Sequence, residues 1–172
     1  MAGTDLFLDV GAGEGFFSGC HLRRTDGRVV AFESDASRVA VLKDNVDRNS
    51  APRGERWTFA GDHRRGDHAI VSLDAIATRR EDSVLLKIDA PGDEVGLLTG
   101  AAKILDDEET RVLIRLYGRE HQAACMSLLD EHGFSVELVG PAWWRPFVPD
   151  LSHQESACWL VAEKRPFEMR LS

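Results

Sequence analysis

The sequence predicts an α/β domain built on a doubly wound, Rossmann-like, mostly parallel sheet with helices on both faces, and three observations predict it. Strand-like and helix-like patterns alternate along the whole chain, the order that sandwiches a parallel sheet between two helical layers. A first apolar strand, Leu6-Phe7-Leu8, runs through Asp9 into glycines at alternate positions, Gly11, Gly13 and Gly15. A second strand, Arg28 to Phe32, ends in another acid, Glu33. Glycines let the backbone approach a ligand without Cβ interference. An acid at the end of the next strand can hold a ribose diol, and ligands of such sheets gather at the carboxyl ends of the strands.

Each element has its own signal. Glu14 to Leu22 opens the first helix behind the glycines. Asp35 to Asn49 carries Val39, Leu42 and Val46 at helical spacing, with Ser34 or Asp35 as N-cap. Pro52 and Gly54 break that helix, and Arg56 to Ala60 forms a third strand. Gly61 to His68 reads as a polar loop, and Ala69 to Leu73 as a minor strand or extended segment. Val84 to Asp89 is the strongest buried strand, stopped by Pro91-Gly92, and a helix is expected from Asp93 to Leu105. Arg111 to Tyr117 is a further strand, followed by a helix from Arg119 to His132 that Gly133 ends. Phe134 to Val139 and Ala157 to Glu163 close the sheet as an antiparallel pair, with an irregular loop containing Trp143-Trp144 between them. With no repeat, low-complexity tract or linker, residues 1–172 read as one domain.

Composition narrows the function classes. The chain has no run of about 18 apolar residues and no charged-then-apolar leader, which argues against a membrane span or a secretory signal. Cys20, Cys125 and Cys158 lie far apart without a C-x-x-C pair, so buried thiols in a reducing cytoplasm are expected, and neither a disulfide frame nor a metal site. The net charge of −8 disfavours nucleic acid, whose phosphates need a basic surface, although Arg64-Arg65 or Arg79-Arg80 offers a local basic patch. Only four of the 21 basic residues are lysine. Low lysine with abundant aspartate suggests a host with high internal salt, and high-GC codon usage gives a similar arginine bias.

The glycine loop distinguishes between cofactors. A dinucleotide site wants G-x-G-x-x-G, yet the third position after Gly13 is Phe16. Asp9 and Glu14 would repel a pyrophosphate, whereas an acid two residues before the first glycine suits the amino group of S-adenosyl-L-methionine. That cofactor is therefore expected, and a dinucleotide-dependent oxidoreductase is disfavoured.

On these residues the chain resembles the class I S-adenosylmethionine-dependent methyltransferases, and within them the FkbM type. The resemblance covers about residues 5 to 135. It rests on Leu8-Asp9-Val10-Gly11-Ala12-Gly13-Glu14-Gly15-Phe16-Phe17-Ser18, on Gly27 to Glu33 with the helix ending Lys43-Asp44-Asn45-Val46, and on Ser72-Leu73-Asp74-Ala75-Ile76 ahead of Leu86-Lys87-Ile88-Asp89, then Glu94, Leu97, Gly100 and Ala101. The last group is the one more specific to the FkbM type. The resemblance implies a seven-stranded sheet whose last strand is antiparallel. It implies that Asp9 and the Gly11–Gly15 loop contact the methionine part and Glu33 the ribose. Asp62 would face the adenine amino group, with Ser34 and His63 as neighbours, and Asp89 would lie near the methyl group. FkbM-type proteins usually continue the fourth strand as Asp-Val-Glu-Gly, and here the run is Asp89-Ala90-Pro91-Gly92. An acid is missing at Pro91, so its role is either lost here or taken by Asp93 or Glu94. Most relatives also carry an N-terminal segment before the first strand that helps close the site.

The expected activity is O-methylation of a small-molecule or sugar hydroxyl, with a small-molecule acceptor as partner and Asp89, His63 and Asp93, in that order, as candidates for the general base. Against it stands a degenerate cofactor-binding domain that acts as a non-catalytic partner or regulatory module. His63 and His68 share a loop and are expected to be solvated, and His121 and His132 to be surface residues. Trp143-Trp144 is expected to pack at the sheet edge, with an acceptor-pocket wall as the other reading.

Overall fold

Five consecutive fully buried residues, Leu6–Val10, form strand β1 at the heart of a seven-stranded sheet. The structure is a computed structural model, and it describes residues 4–50, 56–65, 69–70, 72–76, 83–139 and 157–164. Around β1 the elements run α1 (Phe16–Arg24), β2 (Arg28–Phe32), α2 (Ala36–Ser50), β3 (Trp57–Gly61), β4 (Arg64–Arg65), β5 (Ala69–Ile70), β6 (Val84–Ile88), α3 (Glu94–Thr99), α4 (Ala102–Leu105), β7 (Arg111–Tyr117), α5 (Arg119–Glu131), β8 (Ser135–Val139) and β9 (Ala157–Glu163).

The sheet order is β3-β2-β1-β6-β7-β9-β8. Neighbours are parallel from β3 through β7, and β9 runs antiparallel to both β7 and β8. This is the expected doubly wound sheet, with its last strand inserted antiparallel between the two before it.

Alternation along β1 assigns its two faces. Leu6, Leu8 and Val10 join a core with Leu97, Leu98, Leu105 and Leu129, side chains of α3, α4 and α5. Phe7 joins Leu22, Leu42 and Val46 of α1 and α2 on the other face. A strand covered on both sides is apolar at nearly every position, so Asp9 and Lys87 stand out as charges within the central pair β1 and β6.

Two local expectations are corrected. The helix expected over Asp93–Leu105 is two helices, α3 and α4, interrupted at Gly100 and Ala101. The Asp74 carboxylate, on a short 3-10 turn (Leu73–Ala75), accepts the Lys103 and Ile104 backbone N–H groups and so caps α4 from outside. The polar loop after β3 carries β4, which pairs antiparallel with β5 as a small hairpin. Pro52, Gly54, His68, Arg79-Arg80 and Trp143-Trp144 lie outside the described residues.

Among the described residues no helix is long and apolar enough to cross a membrane, and no cluster of His, Cys, Asp and Glu is arranged to hold a metal. All three cysteines are free thiols. Burial pushes the Cys125 thiol up to about 12, which keeps it protonated and inert.

Candidate functional site

The loop between β1 and α1 shows why three glycines stand there. A Cβ on Gly11 would sit 2.0 Å from the Asp89 carbonyl oxygen, so the ends of β1 and β6 touch at that point. A Cβ on Gly15 would meet Leu42 and Val46 at 2.8 Å, so this glycine admits α2. Gly13, with φ of 58°, is different: a Cβ there would meet nothing within 4 Å. Two glycines serve packing and the middle one borders open space.

That space is a cavity of about 530 Å³ at the carboxyl ends of the strands. Of the residues singled out in the sequence, Gly11, Gly13, Glu33, Ser34, His63 and Asp89 line it together. Asp9, Gly15, Asp62 and Asp93 are not on its wall.

Glu33 is the keystone of the loop. It is buried, and its Oε2 accepts the Gly13 N–H at 2.6 Å while Oε1 accepts the Asp35 N–H at 2.8 Å. One carboxylate thus fixes the glycine loop and the lead into α2, and each oxygen keeps a lone pair for a ligand hydroxyl.

Asp9 is fully buried behind the wall. Its carboxylate accepts Ser18 Oγ–H at 2.6 Å and Lys87 Nζ–H at 2.9 Å. Lys87 is 1% exposed, donates also to the Gly11 carbonyl at 2.6 Å, and borders the cavity itself. The charge that meets the cavity at this point is therefore the lysine's.

Asp89 Oδ1 accepts the Tyr117 hydroxyl at 2.6 Å, and Arg115 Nη1 lies 3.8 Å from Oδ2. Burial, reinforced by the Asp89 hydrogen bond, pushes the Tyr117 phenol well above its ordinary value. The phenol keeps its proton and acts as a donor at neutral pH.

His63 is 2% exposed, not solvated as expected. Its Nε2 lies 3.1 Å from Asp93 Oδ2, which also receives Arg64 Nε. Its Nδ1 is buried without a hydrogen-bond partner among the described residues. Asp62 is half exposed and accepts the Arg64 N–H. Glu94 is fully buried, with Oε2 on the Gly92 N–H and on His121 Nδ1, so it turns away from the cavity. Neither Asp93 nor Glu94, the two acids offered in place of the one missing at Pro91, is on the cavity wall.

Lys87, Arg115, Tyr117 and Phe17 also line the cavity, although the sequence did not mark them as site residues. Lys87 had a legible signal: a lysine inside Val84–Ile88, opposite Asp9 in the β1–β6 register, announces a buried ion pair.

An adenosyl cofactor fits these residues. Gly13 provides a cradle that any side chain would fill, and the orphaned His63 Nδ1 awaits a polar partner on the same wall.

No protein-family model matches the chain, and no curated protein matches it. Solved structures do match. An FkbM methyltransferase from Methylobacillus flagellatus KT aligns at 17% identity with a TM-score of 0.64, over 92% of this chain and 43% of its own. A precorrin-6y C5,15-methyltransferase from Geobacter metallireducens GS-15 aligns at 15% identity and 0.62, over 94% and 80%. An S-adenosylmethionine-dependent O-methyltransferase from Thermotoga maritima aligns at 16% identity and 0.61, over 94% and 59%. The chain thus spans less than two thirds of the FkbM protein and of the O-methyltransferase. What it shares with all three is the Rossmann-like methyltransferase fold.

Proposed function

We propose that the protein is an S-adenosyl-L-methionine-dependent methyltransferase of the FkbM type, acting on a small-molecule or sugar hydroxyl. The observation that carries the reading is Glu33, which ends β2, clamps the Gly13 N–H, and shares one cavity with Asp89 at the end of β6. Glu33 receives the ribose hydroxyls, Gly13 gives the methionine end its close approach, and Ser34 and His63 flank the adenine. Asp62 and Asp9 support this wall from outside it, through Arg64 and Lys87 respectively.

When bound, the cofactor supplies a methyl group activated by its sulfonium. The chain's own part is to align donor and acceptor at about 3–3.5 Å and to exclude water. Asp89 is the general base: it stands on the wall, and its hydrogen bond from Tyr117 fixes its orientation. Asp93, occupied by His63 and Arg64, orients His63 and takes no proton from an acceptor. The acidic chain disfavours nucleic acid and anionic membranes as partners.

Calorimetry with S-adenosyl-L-methionine, S-adenosylhomocysteine and NAD tests the reading. Micromolar binding of both adenosyl compounds without NAD is expected, with Glu33→Ala weakening it by about 1–3 kcal/mol. Silence from all three, or unchanged affinity in the variant, overturns the site. A second reading, a cofactor-binding module without catalysis, draws on Ala90-Pro91-Gly92 and on Glu94 being turned inward. Release of S-adenosylhomocysteine in the presence of a hydroxyl acceptor removes it.

A further inference from the structure

We propose that Lys87 binds the α-carboxylate of the cofactor's methionine moiety and that Asp9 acts only through it, as the residue that positions the ammonium. The inference rests on the cofactor reading above and reverses the polarity the sequence suggested for this corner of the site. A lysine inside a central strand is costly to bury and is kept charged only by close partners. Lys87 has two: Asp9 Oδ1 at 2.9 Å, from its register partner on β1, and the Gly11 carbonyl at 2.6 Å.

An ammonium has three donors, and two protein acceptors leave one. The Phe17 ring lies 5.4 Å from Nζ, and both Lys87 and Phe17 form part of the cavity wall. The third N–H has no protein carboxylate or carbonyl on it among the described residues, and of the Asp9–Lys87 pair only the lysine belongs to the cavity wall.

Asp9 makes the opposite case. It is 0% exposed, is absent from the wall, and has its oxygens on Ser18 and Lys87. It has no path to a ligand amino group except through the lysine. Of the two charged groups at the methionine end, only the carboxylate complements what this corner presents. A charge-assisted hydrogen bond there also tethers the flexible end of the ligand.

The test compares ligands as well as variants. S-adenosylhomocysteine, its carboxyl methyl ester, and 5′-methylthioadenosine, which lacks the amino-acid end, are titrated calorimetrically into the unaltered protein, Lys87→Met and Asp9→Asn. In the unaltered protein the ester is expected to bind about tenfold or more weaker than the free acid. Lys87→Met should lose a similar factor for S-adenosylhomocysteine, bind acid and ester alike, and keep methylthioadenosine within about twofold. Asp9→Asn should lose less, and again only for the acid. Methylthioadenosine binding doubles as the control for folding.

An equal loss for all three ligands in Lys87→Met, or no preference for acid over ester in the unaltered protein, overturns the assignment and leaves Lys87 a structural counterion. If the lysine variant does not fold, Asp9→Asn carries the comparison: a reduced preference for acid over ester there supports the assignment, and an undiminished one overturns it. If the unaltered protein binds none of the three, the cofactor reading itself falls and this inference with it. Binding of all three without a carboxylate preference removes the Lys87 assignment alone.

Discussion

At the scale of single residues, glycines of one loop divide between two tasks, and substitution separates them. Gly11→Ala forces a methyl group against the Asp89 carbonyl, and the combined overpacking and left-handed strain should cost about 2–4 kcal/mol of stability. Gly13→Ala meets open space, so only the strain remains, about 1–2 kcal/mol, while S-adenosylhomocysteine binding is lost. Urea midpoints and calorimetry on the two variants check both halves, and equal stability losses would contradict the division. Glu33, Ser34, His63 and Asp89 were legible because each ends or follows a strand in a sheet of this kind. Tyr117 and Arg115 were not, because nothing local marks the end of β7 as facing the end of β6. The burial of His63 was also hidden, since it depends on Asp93 from thirty residues further on.

At the scale of elements, the boundaries followed the hydrophobic pattern wherever that pattern changed period. It stays in helical phase across Gly100, so the break between α3 and α4 could not be read from it. The restart is capped by Asp74, part of the motif Ser72-Leu73-Asp74-Ala75-Ile76, whose carboxylate lies 3.1 Å from the Lys103 and Ile104 nitrogens of α4. A motif residue that marks the resemblance thus has a structural task here. Asp74→Ala should destabilise the fold by about 1 kcal/mol, the cost of a lost N-cap, and leave cofactor affinity unchanged. A thermal melt alongside one calorimetric titration tests this, and a selective loss of binding would give Asp74 a part in the site. The β4–β5 hairpin, two residues to a strand, is too short for any periodic signal.

At the scale of the whole molecule, the alternation of strands and helices sufficed for a parallel sheet between two layers, and the resemblance added an antiparallel last strand, whereas the insertion of β9 between β7 and β8 was legible in neither. The layer formed by α1 carries a pH dependence. His21, stacked near Phe7 with ring centroids 5.1 Å apart, is held below its ordinary value first by burial and then by the Arg56 charge. A neutral folded histidine contributes fully above the unfolded value near 6.5, and that contribution is lost as pH falls from there through the folded value. Urea midpoints should therefore drop on acidification below about pH 6.5, and His21→Gln should flatten this part of the profile; an unchanged slope would place the dependence elsewhere. The contact between Gly11 and Asp89 has a different kind of consequence. It welds the glycine loop to the acid, so thermal breathing of the sheet carries both along as one rigid jaw. Under the function proposed above, Arg115 and Tyr117 on the next strand out hold the same carboxylate from its other side, so re-aiming the acid toward a different acceptor would call for changes there and not in the glycine loop.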